Sequence, residues 1–60
     1  MKFSIKGKEK IFLFKKSIEL VCRNEDDFYL FYTKKGLRLF NEFSDTLIVI
    51  DFLPEWFAEF

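Results

Sequence analysis

The stretch FYLFYTKKGLRLFNEFSDTLIVIDF, residues 28–52, decides the fold. Its last part, Thr46–Phe52, is dominated by β-branched residues and predicts the clearest strand of the chain. Residues 28–33 and 37–40 predict two further strands, separated by turns at TKKG and NEFSD. Gly36 is able to take a positive φ in the first of these turns. Three strands joined by short turns predict an antiparallel meander.

The segment before the meander predicts one more strand and a helix. Lys2–Lys6, KFSIK, alternates apolar and polar residues, which is typical of a strand with one buried face. From Lys8 the apolar residues recur at spacings of three and four, which predicts a helix that ends at Asn24. The apolar face of this helix is predicted to contain Ile11, Phe14, Ile18, Val21 and Cys22, widened by Leu13 and Leu20.

The last strand of the meander also predicts which side of the sheet the helix covers. One side of this strand carries Leu47, Val49 and Asp51, and the other carries Ile48, Ile50 and Phe52. Because an isolated charge in the interior is very costly, the helix is expected to cover the side that lacks Asp51. Ile18 is then central in the contact, and Leu47 and Val49 face outward.

The elements together predict an α+β fold. One helix packs on a four-stranded, mainly antiparallel sheet in the order β-α-β-β-β. Pro54 is expected in the first turn of a second helix, where Pro is tolerated, and Glu55 suits the dipole of that helix. Sixty residues provide for one small domain.

The residue content argues against catalysis, and no enzyme activity, metal or cofactor is expected. The chain has no His and one Cys, so the usual nucleophile and metal constellations cannot be assembled. Glu25, Asp26 and Asp27 lie in a predicted turn, and a solvated loop is favoured there over an acid/base pair. Cys22 is interpreted as a small buried hydrophobe rather than as a reactive thiol.

The sequence also bears on the compartment of the protein. A single Cys cannot form an internal disulfide, which favours a reducing, intracellular setting. The N-terminus has no apolar run with a cleavage site, so a signal peptide is not expected. No stretch approaches the roughly 18 apolar residues of a membrane span, and no membrane partner is expected.

One side of the predicted helix is rich in basic residues, namely Lys8, Lys15, Lys16 and Arg23, with Glu9 and Glu19 among them. An ordinary solvated face with supporting ion pairs is the favoured interpretation. The alternative is contact with nucleic-acid phosphates, which requires no base-reading residue. Ten basic and ten acidic residues cancel, so net charge does not choose between the two.

Several motifs, in order, give the chain a resemblance to a known family. They are MKFSIKG at the start, FKKSIEL in the helix, FYL before the meander, GLRL within it, and FLPEWFAEF at the end. This order and spacing resemble one repeat of the sliding-clamp family, the PCNA-like rings that encircle duplex DNA. The likeness is closest to the N-terminus of the Rad-nine-type subunit of the checkpoint nine-one-one clamp. Clamp subunits contain four such repeats, so the resemblance implies that residues 1–60 form a single partial domain.

The resemblance implies a role in DNA-damage checkpoint signalling and repair, in the nucleus. The implied partners are other clamp subunits in a hetero-oligomeric ring and duplex DNA, bound without regard to sequence, with no small-molecule substrate. Lys15 and Lys16 match the basic residues of the family's helix, and Lys8 and Arg23 share their face by geometry. These four residues are the expected contacts to the DNA backbone.

The aromatic end of the chain leaves a second interpretation open. Trp56, Phe57 and Phe60 follow Pro54 closely and are expected either to form an interaction surface or to fold back onto the small sheet. The edge of the last strand is expected to be open, so self-association or a partner is expected. The alternative function is therefore a stand-alone α+β protein-interaction module with no DNA role.

Overall fold

The computed structural model describes residues 2–23, 25 and 27–60. Over these residues the chain forms one α-helix, three β-strands and a short 3₁₀ turn. They are α1 (Lys8–Cys22), β1 (Tyr29–Thr33), β2 (Gly36–Phe43), β3 (Thr46–Phe52) and the turn Pro54–Trp56. Two predicted features, the end of the helix at Asn24 and the carboxylate of Asp26, lie outside the described residues.

The helix begins where the sequence predicts. Gly7 precedes it with φ 104°, a conformation that suits a residue without a Cβ. The backbone N–H of Ile11 donates to the Gly7 carbonyl at 3.0 Å and closes the first turn. At the other end Arg23 takes φ 45° and donates its N–H to the Glu19 carbonyl at 3.0 Å, which ends the helical geometry.

The three strands form an antiparallel meander in the order β1-β2-β3. Leu39 lies at its centre, opposite Leu30 on one side and Ile50 on the other. Helix α1 packs against the face that carries Leu37 and Leu39, and both of these side chains are fully buried. The molecule is a two-layer slab with extents of 35 × 24 × 15 Å.

The predicted four-stranded sheet is wrong, because the described residues contain a sheet of three strands. The segment expected to add the fourth, Lys2–Lys6, contributes an isolated bridge between Ser4 and Glu59. The alternation of Phe3 and Ile5 is real, but both side chains pack against the core without pairing their backbone to the meander. Alternation of apolar and polar residues indicates that one side of a segment is buried, but a buried segment need not be a strand of the sheet.

The predicted second helix is also absent from the described residues, since the helical geometry after Pro54 stops at Trp56. Phe57 has extended φ and ψ, and the chain then turns back to the N-terminal segment. The Ser4 N–H donates to the Glu59 carbonyl at 2.8 Å, and the Ala58 N–H donates to the Ser4 carbonyl at 2.9 Å. This return allows the aromatic end to cover the core beside the helix.

The predicted side of the sheet is confirmed. Phe52 is buried, Ile48 and Ile50 are partly buried against the core, and Leu47 and Val49 are exposed. Ile18 packs against the same core from the helix. The predicted width of the helix face is wrong, because the structure leaves Ile11, Leu13 and Leu20 exposed. A three-stranded sheet covers a narrow stripe of a helix, here centred on Phe14 and Val21.

The predicted turn at NEFSD is shorter than expected, since Asn41 to Phe43 continue β2. Asn41 is buried, and its Nδ2 donates to the Val21 carbonyl at 2.9 Å and to the Asp27 carbonyl at 3.1 Å. The Val21 carbonyl is in the last turn of α1, where it has no partner within the helix. The Asn41 side chain thus connects the end of the helix to the sheet through tertiary hydrogen bonds.

Candidate interaction surface

The four basic residues predicted to contact DNA are all exposed on α1 or directly after it. Lys16 Nζ lies 3.3 Å from Glu19 Oε2 in an exposed ion pair. The Arg23 guanidinium lies over the Phe43 ring, 4.5 Å from its centroid. Lys8 and Lys15 lie on the solvent side of the helix with them. The exposed basic face therefore exists, with an acidic partner within it, and its contact with DNA stays a prediction.

The three aromatic residues predicted as an interaction surface lie in and around the core. Phe57 is buried, and Trp56 and Phe60 are partly buried against the core cluster. The Trp56 ring packs 4.6 Å from the Phe52 ring, between centroids, and Phe60 stacks on Tyr32 at 4.7 Å. Lys10 Nζ holds the same segment by donating to the Trp56 carbonyl at 2.7 Å. A partner role for these residues stays a prediction, but their first role here is to complete the core.

The opposite side of the sheet carries a different set of large side chains. Period-two alternation puts them on the face away from α1. This outer sheet face is formed by Tyr29, Phe31, Arg38, Phe40, Glu42, Leu47, Val49 and Asp51. Within the described part of the chain, no helix or strand packs over it. The outer sheet face is thus an aromatic and aliphatic surface in water.

Phe40 lies at the middle of the outer sheet face and joins its aromatic residues. It is opposite Tyr29 on β1 and opposite Val49 on β3. The Tyr29 and Phe40 rings are nearly parallel, with centroids 5.0 Å apart and planes at 17°. The Phe31 ring lies 5.2 Å from the Phe40 ring. Tyr29, Phe31, Leu47 and Val49 are exposed. Their side chains form one contiguous patch, whereas single exposed apolar residues are ordinary.

One ion pair crosses the outer sheet face next to this patch. Arg38 Nε donates to Asp51 Oδ1 at 2.7 Å, and the Arg38 NH2 group donates to Asp51 Oδ2 at 3.0 Å. These hydrogen bonds hold the pKa of Asp51 below its ordinary value and raise the pKa of Arg38. When the pH is above the ordinary carboxyl pKa, ionised Asp51 stabilises the folded chain by a small amount, because solvent screens the ion pair. This contribution to stability is lost as the pH falls through the lowered folded-state pKa of Asp51.

The two ends of the sheet carry opposite charge. The turn between β1 and β2 contains Lys34 and Lys35, both exposed. At the other end, Glu42 and Asp45 are exposed beside the turn between β2 and β3, and Asp27 precedes β1. The turn at one end of the sheet is therefore basic, and the turn at the other end is acidic; these are called the basic end and the acidic end.

A depression of about 270 Å³ lies at the basic end of the outer sheet face. Its lining includes Phe31, Gly36, Arg38, Asp51 and Leu53. At the acidic end Leu47 is 62% exposed, the largest exposed fraction among the exposed large hydrophobic residues. The surface thus has a recess near one end and a protruding apolar side chain near the other.

The described residues contain no group of three or more His, Cys, Asp or Glu side chains that could hold a metal ion. Across the same residues, α1 falls short of the length and apolar character that a bilayer-crossing helix needs. The outer sheet face brings four exposed large hydrophobic side chains together around Phe40, and α1 exposes a second group, namely Ile11, Phe12, Leu13 and Leu20.

Sequence reasoning missed the outer sheet face as a site, although a signal was present. FYLFYT does not alternate apolar with polar residues, so a strand there has an apolar residue on each face. With a helix available for one face only, the second apolar face remains in solvent. The residues that this reasoning would have identified are Tyr29 and Phe31.

Comparison with family models, with curated proteins and with solved structures finds no match to this chain.

Proposed function

We propose that this chain is a small protein-interaction module whose binding surface is the outer sheet face. The observation that carries the proposal is the contiguous exposed patch around Phe40, on a sheet whose other face is already covered by α1. Aromatic side chains bury large areas, and they are enriched in the cores of protein interfaces.

The polar groups of the surface also suit a protein partner. Arg38 and Asp51 satisfy each other in a two-point hydrogen-bonded pair, so covering them does not isolate a charge. Tyr29, Phe40 and Val49 lie at the centre of the face, and the charged residues Arg38, Asp51 and Glu42 lie to either side of them along the strands. This arrangement has the form of an interface with an apolar core and a polar rim.

The test is photo-crosslinking from the outer sheet face in the cells that produce the protein. A photoreactive phenylalanine analogue replaces Phe31 in one variant and Phe12 in a matched control. The two side chains are equally exposed, at 57% and 58%, and they lie on the sheet and on the helix respectively. We expect a discrete adduct from position 31 that excess unlabelled chain competes away.

The same competition with a Phe40→Glu chain should leave the adduct in place, because a charge at the centre of the patch removes its apolar contact. The outer sheet face has no specific partner if both positions give adducts of no defined mass. The same follows if the wild-type chain and the Phe40→Glu chain compete equally for the adduct.

A second candidate is the checkpoint-clamp role that the resemblance implies. It is favoured by the exposure of Lys8, Lys15, Lys16 and Arg23 on the helix surface. This proposal includes a part in DNA repair and a nuclear location, with other clamp subunits and duplex DNA as the partners. Over the described residues, the three-stranded sheet and the short 3₁₀ turn in place of a second helix depart from a clamp repeat, so the proposal rests on the motifs and on the basic face alone.

A further inference from the structure

We infer that the partner of the outer sheet face is a second copy of this chain, packed face to face with its strands antiparallel to those of the first. This inference rests on the proposed function and names the partner. Three independent features support it, namely surface area, charge and shape.

The first feature is the accessible surface. The chain exposes 4912 Å², whereas a compact monomer of 7.3 kDa exposes about 4,200 Å² by the usual scaling with mass. The excess of about 700 Å² approaches the roughly 800 Å² that each partner buries in a standard interface. The exposed apolar side chains of the outer sheet face, Tyr29, Phe31, Leu47 and Val49, contribute to this excess, and a second copy would cover them.

The second feature is charge. A two-fold axis that lies in the interface, perpendicular to the strands, places the basic end of one copy on the acidic end of the other. Lys34 and Lys35 then approach Glu42 and Asp45 of the second copy, and the two-fold repeats the contact. Arg23, the basic residue at the acidic end, lies against Phe43 on the helix side and does not oppose this pairing.

The third feature is shape. In the antiparallel arrangement Phe40 meets its own copy near the axis, because it lies midway between Arg38 and Glu42 on β2. Leu47 at the acidic end of β3 then faces the basic end of β3 in the other copy, beside Leu53, which lines the depression. The protruding residue and the recess that receives it belong to the same surface, as an isologous contact requires.

Single-stranded nucleic acid is the other occupant that exposed aromatic residues on a sheet accommodate. Its phosphates would meet Glu42 and Asp45 at the acidic end, and the rings of Tyr29 and Phe40 already stack on each other. A second copy carries the acidic and basic groups that match both ends of the sheet. The surface therefore favours self-association.

The experiment is sedimentation equilibrium of the full chain, at about 10–100 µM because interfaces of this size bind at micromolar Kd or tighter. We expect a dimer. Phe31→Glu should weaken it at least about tenfold, whereas Phe12→Glu, the matched change on the helix, should leave it unchanged. Circular dichroism of each variant confirms that it is folded. If Phe31→Glu proves unfolded, Leu47→Glu replaces it, since Leu47 is exposed on the same face.

Charge exchange tests the antiparallel arrangement. A Lys34→Glu, Lys35→Glu chain is acidic at both ends of the sheet, and a Glu42→Lys, Asp45→Lys chain is basic at both. Each alone should be mainly monomeric, and an equimolar mixture should form the mixed dimer. Mixed chains that do not associate, or a wild-type chain that is monomeric and folded, would overturn the inference. So would Phe31-dependent binding of a fluorescent oligothymidylate by a monomeric chain.

The outcomes separate this inference from the proposed function. A monomeric chain that still gives a discrete, competed crosslink to a different protein from position 31 refutes self-association and leaves the interaction module standing. A monomeric chain with no specific crosslink refutes both.

Discussion

Asn41→Asp is the substitution that most sharply tests how the helix is held on the sheet. The Asn41 amide donates to two carbonyl oxygens, those of Val21 and Asp27, at 2.9 and 3.1 Å. A carboxylate of the same shape has no hydrogen to donate and directs its charge at both carbonyls. Its Oδ can still accept from the Glu42 N–H, as the amide does at 3.0 Å. The substitution therefore removes the two bonds between the layers and retains the local bond.

The expected cost at pH 7 is about 2–4 kcal/mol, from two lost bonds of about 0.5–1.5 kcal/mol each and the desolvation of the carbonyls left behind. A chain of this length has about 3–9 kcal/mol of stability, so the loss is a large part of the total. The midpoint of thermal unfolding should fall by at least about 10 °C, at about 4–8 °C per kcal/mol.

The pH dependence of this variant has a defined sign. Burial and two facing carbonyl oxygens raise the folded-state pKa of the new carboxyl above its unfolded value of about 3.9. The protonated form can donate one hydrogen bond. The loss of unfolding free energy relative to the wild type should therefore be smallest near pH 4, and it should grow as the pH rises through the raised folded-state pKa. Asn41→Leu, which removes the donors without adding a charge, should show a deficit that does not change with pH.

The assay is urea unfolding followed by the fluorescence of Trp56, the one Trp of the chain, at a fixed chain concentration. A deficit below about 0.5 kcal/mol at pH 7, the range of ordinary surface substitutions, would refute the fastening role of Asn41. A deficit that is the same at pH 4 and pH 7 would refute the geometry of the two donated bonds.

Three further predictions test the fold and the basic helix face. Leu39→Ala should lower the free energy of unfolding by about 2–5 kcal/mol in urea unfolding, because the Leu39 side chain is fully buried. Leu47→Ala should lower it by less than about 0.5 kcal/mol in the monomer. Equal losses would show that the buried face of the sheet has been assigned wrongly. Gly36→Ala should lower the thermal midpoint markedly, because φ is 137° and a Cβ would collide with a carbonyl oxygen at the end of β3; an unchanged midpoint would contradict that backbone geometry. If the helix contacts DNA phosphates, the double change Lys15→Glu, Lys16→Glu should abolish weak, sequence-independent duplex binding while circular dichroism stays unchanged. Duplex binding that survives the double change would remove the basis for the clamp proposal.

The sequence was sufficient for those elements whose signal is local. Thr46–Phe52 is a strand with the predicted bounds, because its β-branched run has one plausible local structure. The helix starts at Lys8, directly after the glycine that ends the preceding segment. The side of β3 that faces the helix also followed from one local fact, the cost of burying Asp51.

The errors arose where tertiary contacts decide. Asn41 favours turns when considered alone, but carbonyls from two other segments satisfy its amide and allow β2 to continue. Phe3 alternates as a strand residue would, yet its ring packs on Phe14, Phe57 and Tyr32 while its backbone has no ladder to the meander. Pro54 starts a helical turn, and the burial of Phe57 then favours an extended return to the core.

The candidate site could be predicted in part. The exposure of the basic helix residues followed from helical periodicity, and the structure places them as expected. The outer sheet face could not be recognised without knowing that one layer alone covers the sheet. FYLFYT has apolar residues on both faces, which is as consistent with a strand buried on both sides as with a strand that leaves one apolar face in solvent.

The most direct test of the central claim is an isotope-filtered NOE experiment on an equimolar mixture of labelled and unlabelled chain. It detects only contacts between copies. The antiparallel face-to-face dimer predicts intermolecular NOEs from the ring protons of Phe40 to Phe40 and from the Leu47 methyl groups to Leu53. Intermolecular NOEs that involve Phe12 and Leu20 of the helix instead, or none in a folded chain, would contradict the claim.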